Sequence, residues 1–368
     1  MTRIILFFAF FLIIHLSSLA QDQYWAFVSS GNAADSVGIG IYDWNAVDGT
    51  LIKQYHENAV TSSSYLVINE TNEILYSING KGIQSFQIDK DNGKLSFLNE
   101  ESHVGKGSCY ISMTNDKRFL LIAYYSSGSV ATYELKENGE VGGMISHIVH
   151  QGSSVNEKRQ KSAHAHMIIS AAKGNLIYVT DLGTDEIVTY QLSTSGELKP
   201  KPISITKTNP GNGPRHLVFH PSKNYVYVLA ELTGHVLAYL YDDQKGITNK
   251  IGEISILPKN FKDFNKSADI HISKDGRYLY ASNRGDNSIA VCEININTGS
   301  LKLSDIIDCG GDWPRAFEID PSGNYLLVAN KESDAISLMS IEAENGLFKK
   351  NNEIESLLAP QCIKFLKK

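Results

Sequence analysis

A unit of about fifty residues recurs along this chain, and the repeat restricts the possible folds more than any single residue does. Each copy contains three short apolar strands separated by turns that are rich in Gly, Asn and Asp. Successive copies begin 45, 56, 50, 53, 47 and 46 residues apart. The equivalent positions are Ser64, Cys109, Ala165, Arg215, Ala268, Arg315 and Gln361. A period near fifty, with about four strands in each unit, is typical of β-propellers.

Seven copies predict a seven-bladed β-propeller, an all-β fold of four-stranded antiparallel blades. The last copy has room for one strand after Gln361, whereas residues 24–29 and 38–43 supply two strands before the first complete copy. We therefore expect the N- and C-terminal strands to share one blade and close the ring, because closure removes exposed sheet edges. No linker interrupts the repeat, so residues 21–368 are predicted to form a single propeller domain, with the polar stretch 151–162 as an inter-strand loop.

The first twenty residues have a different composition from the repeat. A lone Arg3 precedes an apolar run over residues 4–16, and small residues around Ala20 follow it. This layout is typical of a cleaved signal peptide, and the run is shorter than the ~20 apolar residues of a membrane-spanning helix. Residues 1–20 are therefore predicted to be a signal peptide. We expect a mature protein that is exported, to the periplasm or the extracellular space, with no attachment to the membrane after cleavage.

The overall composition limits the possible partners. The net charge is −6, and the Lys and Arg residues are scattered, which argues against a nucleic-acid-binding surface. Four cysteines are sparse and irregularly spaced, unlike those of a disulfide framework or a metal site. They are Cys109, Cys292, Cys309 and Cys362. We expect mostly buried free thiols and a monomeric protein.

Polar side chains recur where the first strand of a unit begins and where the second strand ends. The first two strands form an antiparallel hairpin, so both positions lie at the same end of every blade. The first-strand positions are His164, His166, Arg215, His216, Asp269 and Arg315. The second-strand positions are Asp181, Glu231, Asn283, Arg284 and Lys331. We expect these side chains to meet at one mouth of the central channel.

Arginines, a carboxylate and histidines that share a cavity are costly to desolvate unless they contact a ligand or one another. Arginine matches the geometry of carboxylate and phosphate oxygens, so the group favours an anionic or carbonyl-rich small molecule. His164 and His166 are two residues apart on an extended segment and should point the same way, but no further His or Cys supports a metal site. We therefore expect no metal.

Several of these residues also have structural explanations. Arg215 and Arg315 could bridge neighbouring blades through backbone carbonyls, and Asp181 could cap a turn. Asp269 and Asn283 could serve as hydrogen-bonding scaffold.

The same residues lie in motifs that resemble the lactonase-type seven-bladed propeller family, which includes propeller 6-phosphogluconolactonases and the fungal carboxymuconate lactonizing enzyme. The resemblance covers nearly the whole mature chain. The matching motifs are His164-Ala165-His166, Asp181-Leu182-Gly183, Gly213-Pro214-Arg215-His216, Ala230-Glu231-Leu232, Ser282-Asn283-Arg284-Gly285 and Trp313-Pro314-Arg315. Two positions depart from the family pattern, because Asp269 stands where Glu is expected and Lys331 where Gln is usual.

The resemblance implies a cofactor-independent site in the channel mouth that hydrolyses a sugar lactone, as a 6-phosphogluconolactonase does. The implied catalytic residues are His164, His166, Arg215, Glu231 and Arg284. The remaining candidates, Asp181, His216, Asp269, Asn283, Arg315 and Lys331, are assigned to substrate binding.

In this hypothesis Glu231 or a histidine takes a proton from water, while Arg215 and Arg284 stabilise the oxyanion. Two alternatives remain open at this point. The first is a muconate-type lactonizing cycloisomerase that uses the same acid and base. The second is a non-catalytic exported propeller that binds a carbohydrate or a protein, because fold alone does not decide function.

Overall fold

The computed structural model describes residues 23–31, 38–57, 60 and 62–368, so the predicted signal peptide lies outside the described residues. The described chain forms 28 strands in seven four-stranded antiparallel sheets and contains no helix. It therefore also lacks, within these residues, any helix suited to crossing a membrane. The sheets are arranged in a ring, which confirms the predicted seven-bladed β-propeller.

The strands follow chain order from blade to blade, except that the last strand joins the first blade. The first blade contains β1 (Gln23–Ser30), β2 (Ile39–Asn45), β3 (Thr50–Glu57) and, as its innermost strand, β28 (Pro360–Lys367). The second and third blades contain β4 (Tyr65–Asn69), β5 (Ile74–Ile78), β6 (Gly82–Ile88), β7 (Leu95–Ser102), β8 (Ser108–Met113), β9 (Phe119–Tyr124), β10 (Ser129–Leu135) and β11 (Val141–Val149). The fourth and fifth blades contain β12 (Ala165–Ser170), β13 (Leu176–Asp181), β14 (Glu186–Gln191), β15 (Ser204–Lys207), β16 (Pro214–Phe219), β17 (Tyr225–Ala230), β18 (His235–Asp242) and β19 (Gly246–Ser255). The sixth and seventh blades contain β20 (Lys266–Ile272), β21 (Tyr278–Arg284), β22 (Ser288–Ile294), β23 (Leu301–Asp308), β24 (Pro314–Ile319), β25 (Tyr325–Asn330), β26 (Ala335–Ile341) and β27 (Phe348–Ser356).

The hydrophobic core lies between neighbouring blades. The second strand of a blade has both faces covered by adjacent sheets, and every residue of β5, β9, β13 and β17 is buried. This explains why these strands read as continuous apolar runs rather than as alternating patterns. The outermost strands alternate between covered and exposed residues, as β23 does. Free, mostly buried cysteines fill part of this core, as the sequence indicated.

The two chain ends close the ring. Strand β28 pairs antiparallel with β1, from Tyr24 opposite Lys367 to Ser30 opposite Pro360. In addition, the Trp44 indole Nε1 of the first blade donates a hydrogen bond to Asp320 Oδ2 of the seventh blade, at 3.3 Å. The predicted closure by the N- and C-terminal strands is therefore confirmed.

A β-bulge interrupts the innermost strand near its start in six of the seven blades. Its effect is to leave one residue, or two in β20, without an opposite partner on the second strand. The residues left over are Cys109, His166, Arg215, Ala268 with Asp269, Arg315 and Gln361. A bulge breaks the alternation of a strand and redirects a side chain. The same redirection therefore occurs in six blades at one end of the channel.

Candidate active site

A cavity of about 430 Å³ lies at the end of the channel where the bulges occur. Its lining combines five cationic side chains with one carboxylate among the described residues. The lining residues are Gly107, Ser108, Cys109, Tyr125, Ser126, Arg159, His166, Arg215, Glu231, Lys266, Arg284 and Arg315. The structure thus brings five of the predicted site residues together, from four different blades: His166, Arg215, Glu231, Arg284 and Arg315.

Glu231 is the centre of this group. It follows directly after β17 and is 1% exposed. Its Oε2 accepts hydrogen bonds from Arg215 Nη1 at 2.7 Å and from Arg284 Nη2 at 2.9 Å, and its Oε1 accepts one from Arg159 Nη2 at 2.6 Å. Burial alone would raise the pKa of Glu231, but Arg284, Arg215, His166 and Arg159 together hold it well below 4.5. The carboxylate is therefore ionised at neutral pH, and both of its oxygens are hydrogen-bonded.

Arg215 and Arg284 are fixed from two sides. Besides its bond to Glu231, Arg215 donates from Nε to the carbonyl of Ala268 at 2.7 Å, and Arg284 donates from Nε to the carbonyl of Lys266 at 2.9 Å. The contact of Arg215 bridges two blades through a backbone carbonyl, as the structural explanation predicted. Arg215 Nη2 and Arg284 Nη1 make no hydrogen bond to any described residue, so each guanidinium retains N–H donors at the cavity.

Arg315 differs from the other arginines. It makes no hydrogen bond or ion pair with the described part of the chain, so the bridging role predicted for it is not observed. Burial, followed by repulsion from Arg215, lowers the pKa of Arg315 to about 10, which still leaves the group charged at neutral pH. A half-buried guanidinium without a protein partner is costly to desolvate, and an anion in the cavity would offset that cost.

The two histidines of the His164-Ala165-His166 segment have separate environments. His166 lies at the bulge of β12, lines the cavity, and accepts an N–H hydrogen bond from Arg215 Nη1 at its Nε2. Burial, together with Arg215 and His216, lowers the pKa of His166 well below 6.5, so the ring is neutral. His164 instead stacks on Tyr125, with ring centroids 4.4 Å apart, and its Nδ1 lies 2.9 Å from the Tyr125 carbonyl. The His166 ring also lies against Tyr125, with ring centroids 5.5 Å apart, so both rings contact the same side chain, but only His166 lines the cavity.

Asp181 does not line the cavity. Its Oδ1 accepts hydrogen bonds from the backbone N–H groups of His164, Gly183 and Thr184, at 2.8, 2.9 and 3.2 Å. Its Oδ2 lies 2.8 Å from His150 Nδ1. These contacts correspond to the turn-capping role that the sequence left open.

Four other predicted binding residues also lie outside this cavity. His216 and Asp269 are joined by a 2.8 Å hydrogen bond and line a second cavity, of about 330 Å³, further along the innermost strands. Asn283 accepts a 2.7 Å hydrogen bond from the Ser267 hydroxyl, as a scaffold residue would. Lys331 pairs with Glu332 at 2.6 Å.

The sequence analysis missed seven of the twelve lining residues, and Tyr125, Arg159 and Lys266 are the largest of these. Arg159 lies in the loop 151–162, outside the repeat, and its Nη2 also donates to the Tyr125 hydroxyl at 3.1 Å. No repeat position could have indicated it. Tyr125 follows β9 just as Glu231 follows β17, so its repeat position was a usable signal. Lys266 lies 4.9 Å from the Phe264 ring centroid.

Among the described residues, no three or more His, Cys, Asp or Glu side chains are arranged to hold a metal ion. The cavity presents N–H donors around one carboxylate, one neutral imidazole, the Lys266 ammonium and several hydroxyl groups, including that of Tyr125. This arrangement suits a reaction in which negative charge develops on an oxygen atom.

Comparison with known proteins gives a consistent result. Residues 26–365 match the family model described as "Lactonase, 7-bladed beta-propeller". The 6-phosphogluconolactonase of Bacillus subtilis is 32% identical over 350 residues, which cover 94% of this chain and 99% of that protein. The crystal structure of a candidate 6-phosphogluconolactonase from Bacteroides fragilis superimposes with a TM-score of 0.87 at 28% identity, covering 94% of this chain and 98% of the other.

A periplasmic gluconolactonase from Pseudomonas aeruginosa shares the fold, with a TM-score of 0.86 at 24% identity over 94% of this chain and 99% of its own. The family match spans every blade, including the strands that close the ring. The chain therefore belongs to the seven-bladed β-propeller lactonase family.

Proposed function

We propose that this protein hydrolyses a sugar lactone of the aldonolactone class, by metal-independent acid/base catalysis in the 430 Å³ cavity. One observation carries the proposal. Three arginines are fixed by hydrogen bonds to Glu231, and Arg215 and Arg284 still have unused N–H donors at the cavity. Membership of the lactonase family and the similarity to a 6-phosphogluconolactonase support this reaction class. The cavity residues are assigned as the catalytic group.

Glu231 is assigned as an anchor rather than as the base. Three guanidiniums engage the Glu231 carboxylate and hold its pKa well below 4.5, which makes it a weak proton acceptor at neutral pH. His166 is the better candidate, because its Nε2 lone pair lies at the cavity and is held by an N–H of Arg215. When Arg215 turns towards the lactone carbonyl, Nε2 becomes available to accept a proton from the attacking water.

Arg215 and Arg284 are assigned to the oxyanion that forms when water adds to the ring carbonyl. Arg284 is fixed before the substrate arrives, so it needs little reorganisation as charge develops on the carbonyl oxygen, whereas Arg215 exchanges its contact with His166 for that oxygen. His164 stacks on Tyr125 and is assigned to positioning that ring at the edge of the cavity.

An anionic substituent on the lactone, such as a phosphate, is proposed to bind Arg315 and Lys266. Arg315 has no partner among the described residues, and Lys266 makes ring contacts but no ion pair there. Burial is the first cause that lowers the pKa of Lys266, and repulsion from Arg159 adds to it. A bound anion would relieve the repulsion within this cationic group.

We propose as well that residues 1–20 direct export, because the apolar run 4–16 and the small residues near Ala20 have the layout of a signal peptide. In that case the substrate is a lactone present outside the cytoplasm. N-terminal sequencing of the protein recovered from the periplasm or medium should begin at Gln21. A retained Met1 in a cytoplasmic fraction would contradict this assignment.

Removing either oxyanion donor should reduce turnover. A preorganised donor lowers the barrier by ~3 kcal/mol, so Arg215→Ala and Arg284→Ala should each reduce kcat about 100-fold. Acid release from a sugar lactone, corrected for spontaneous ring opening, measures the effect. Arg118→Ala, at an exposed arginine, is the matched control and should retain wild-type activity. Full activity in both cavity variants, with native circular dichroism and thermal unfolding, would rule the assignment out.

Arg315→Gln should discriminate between charged and neutral lactones. A hydrogen bond to a charged group contributes about 1.5–3 kcal/mol, so kcat/KM for a phosphorylated lactone should fall roughly 10- to 100-fold. The decrease in kcat/KM for the unphosphorylated lactone should be much smaller. An equal loss for both substrates would show that Arg315 does not bind the anionic substituent.

The pH dependence of kcat/KM should reflect the depressed pKa of His166. A base must be neutral to act, and burial keeps this ring neutral until the pH falls well below 6.5. The acid limb of the profile should therefore lie below pH 6.5. His166→Asn should remove most activity, whereas the neighbouring His164→Asn should lose less. An acid limb at or above pH 6.5 would point to a different base.

A further inference from the structure

A second pair of buried polar groups lies next to the cavity. His216 follows Arg215 on β16 and is 3% exposed. Its Nδ1 lies 2.8 Å from Asp269 Oδ1, and Asp269 Oδ2 accepts further hydrogen bonds from His271 Nε2 at 3.2 Å and from the Phe317 N–H at 3.3 Å. Burial alone would raise the pKa of Asp269, but His271 and His216 hold it well below 3.8. An ionised Asp269 requires His216 to carry its proton on Nδ1.

The proton positions leave two complementary nitrogens without partners. With Nδ1 protonated, His216 has a lone pair on Nε2, and this atom is buried and makes no hydrogen bond. His166 accepts an N–H of Arg215 at Nε2, so its own proton is on Nδ1, which is also buried and unpaired. The two rings are adjacent, with centroids 5.3 Å apart and planes at 68°. An unpaired donor thus lies beside an unpaired acceptor, and each would be costly to leave unsatisfied.

We propose that the His166 Nδ1–H group donates to His216 Nε2 through one bridging water, so that Asp269 and His216 act as positioning residues for His166. The proposal rests on the assignment of His166 as the base. In the resting site Arg215 also holds Nε2 of His166 as an acceptor, but that constraint ends when Arg215 turns to the substrate. His216 then keeps the proton on Nδ1 and the Nε2 lone pair at the cavity, because the partner of one ring nitrogen fixes the state of the other.

The His216–Asp269 pair could instead have a purely structural role, which does not involve His166. The His216–Asp269 hydrogen bond also joins the fifth blade to the sixth, and it could matter for that reason alone. Two substitutions separate these possibilities. His216→Asn keeps a side-chain N–H near the position of Nδ1, opposite Asp269, but removes the acceptor near His166. His216→Gln supplies an amide oxygen near the position of Nε2 at the expense of the Asp269 contact.

The kinetic experiment compares these two variants with the same lactone substrate. We expect His216→Asn to lower kcat by roughly 10- to 100-fold with KM little changed, because a mispositioned base forfeits part of its contribution. The kcat of His216→Gln should be higher than that of His216→Asn. The reverse order, or equal kcat values, would overturn the proposal. His147→Asn and His147→Gln, at an exposed histidine of β11, control for the substitutions themselves.

A spectroscopic experiment tests the tautomer without relying on catalysis. In ¹⁵N-histidine-labelled Arg215→Ala protein, where Arg215 no longer constrains the ring, His166 should still carry its proton on Nδ1. In the Arg215→Ala/His216→Asn double variant, the His166 signals should shift to a tautomeric mixture. An unchanged tautomer in the double variant would overturn the proposal. If the wild-type protein hydrolyses no lactone, the proposed function fails, but this measurement still decides whether His216 controls His166.

Discussion

Both faces of each second strand are buried only when the ring of blades is complete, and every other feature of this protein depends on that closure. The first blade would lack its innermost strand without β28, and the channel would be open on one side. Closure fixes the innermost strands around one axis, so residues more than one hundred positions apart in the sequence become neighbours. Arg159 and Arg284, for example, bind the same carboxylate.

The cluster around Glu231 shows how such a scaffold can keep several charged side chains buried next to a cavity. At an effective dielectric constant near 20, opposite charges 4 Å apart attract by about 4 kcal/mol, which is comparable to the several kcal/mol that burying each ion costs. The attraction to one carboxylate therefore cannot satisfy three arginines in full, and Arg315 lacks even this partner. The cavity therefore retains an excess of positive charge, which favours a ligand that carries or develops negative charge.

The sequence predicted the blade number, the ring closure and the meeting of Arg215, Glu231 and Arg284, because all three follow from a regular repeat. It could not predict the side chains that depart from the repeat. The His166 side chain lines the cavity and the His164 side chain does not, and period-two reasoning could not separate two residues that are two positions apart. Arg159 lies in a loop of no repeating pattern, so the repeat offered no basis for placing it near Glu231.

The position of His216 illustrates the same limit and its consequence. Neighbours along an extended strand point to opposite faces, yet Arg215 is the residue left over at a bulge, so Arg215 and His216 follow no simple alternation. As a result Arg215 lines the first cavity and His216 the second, with the His166 ring beside both. Arg215 therefore belongs to the charged group at the first cavity and His216 bonds to Asp269 at the second, although both lie on one strand.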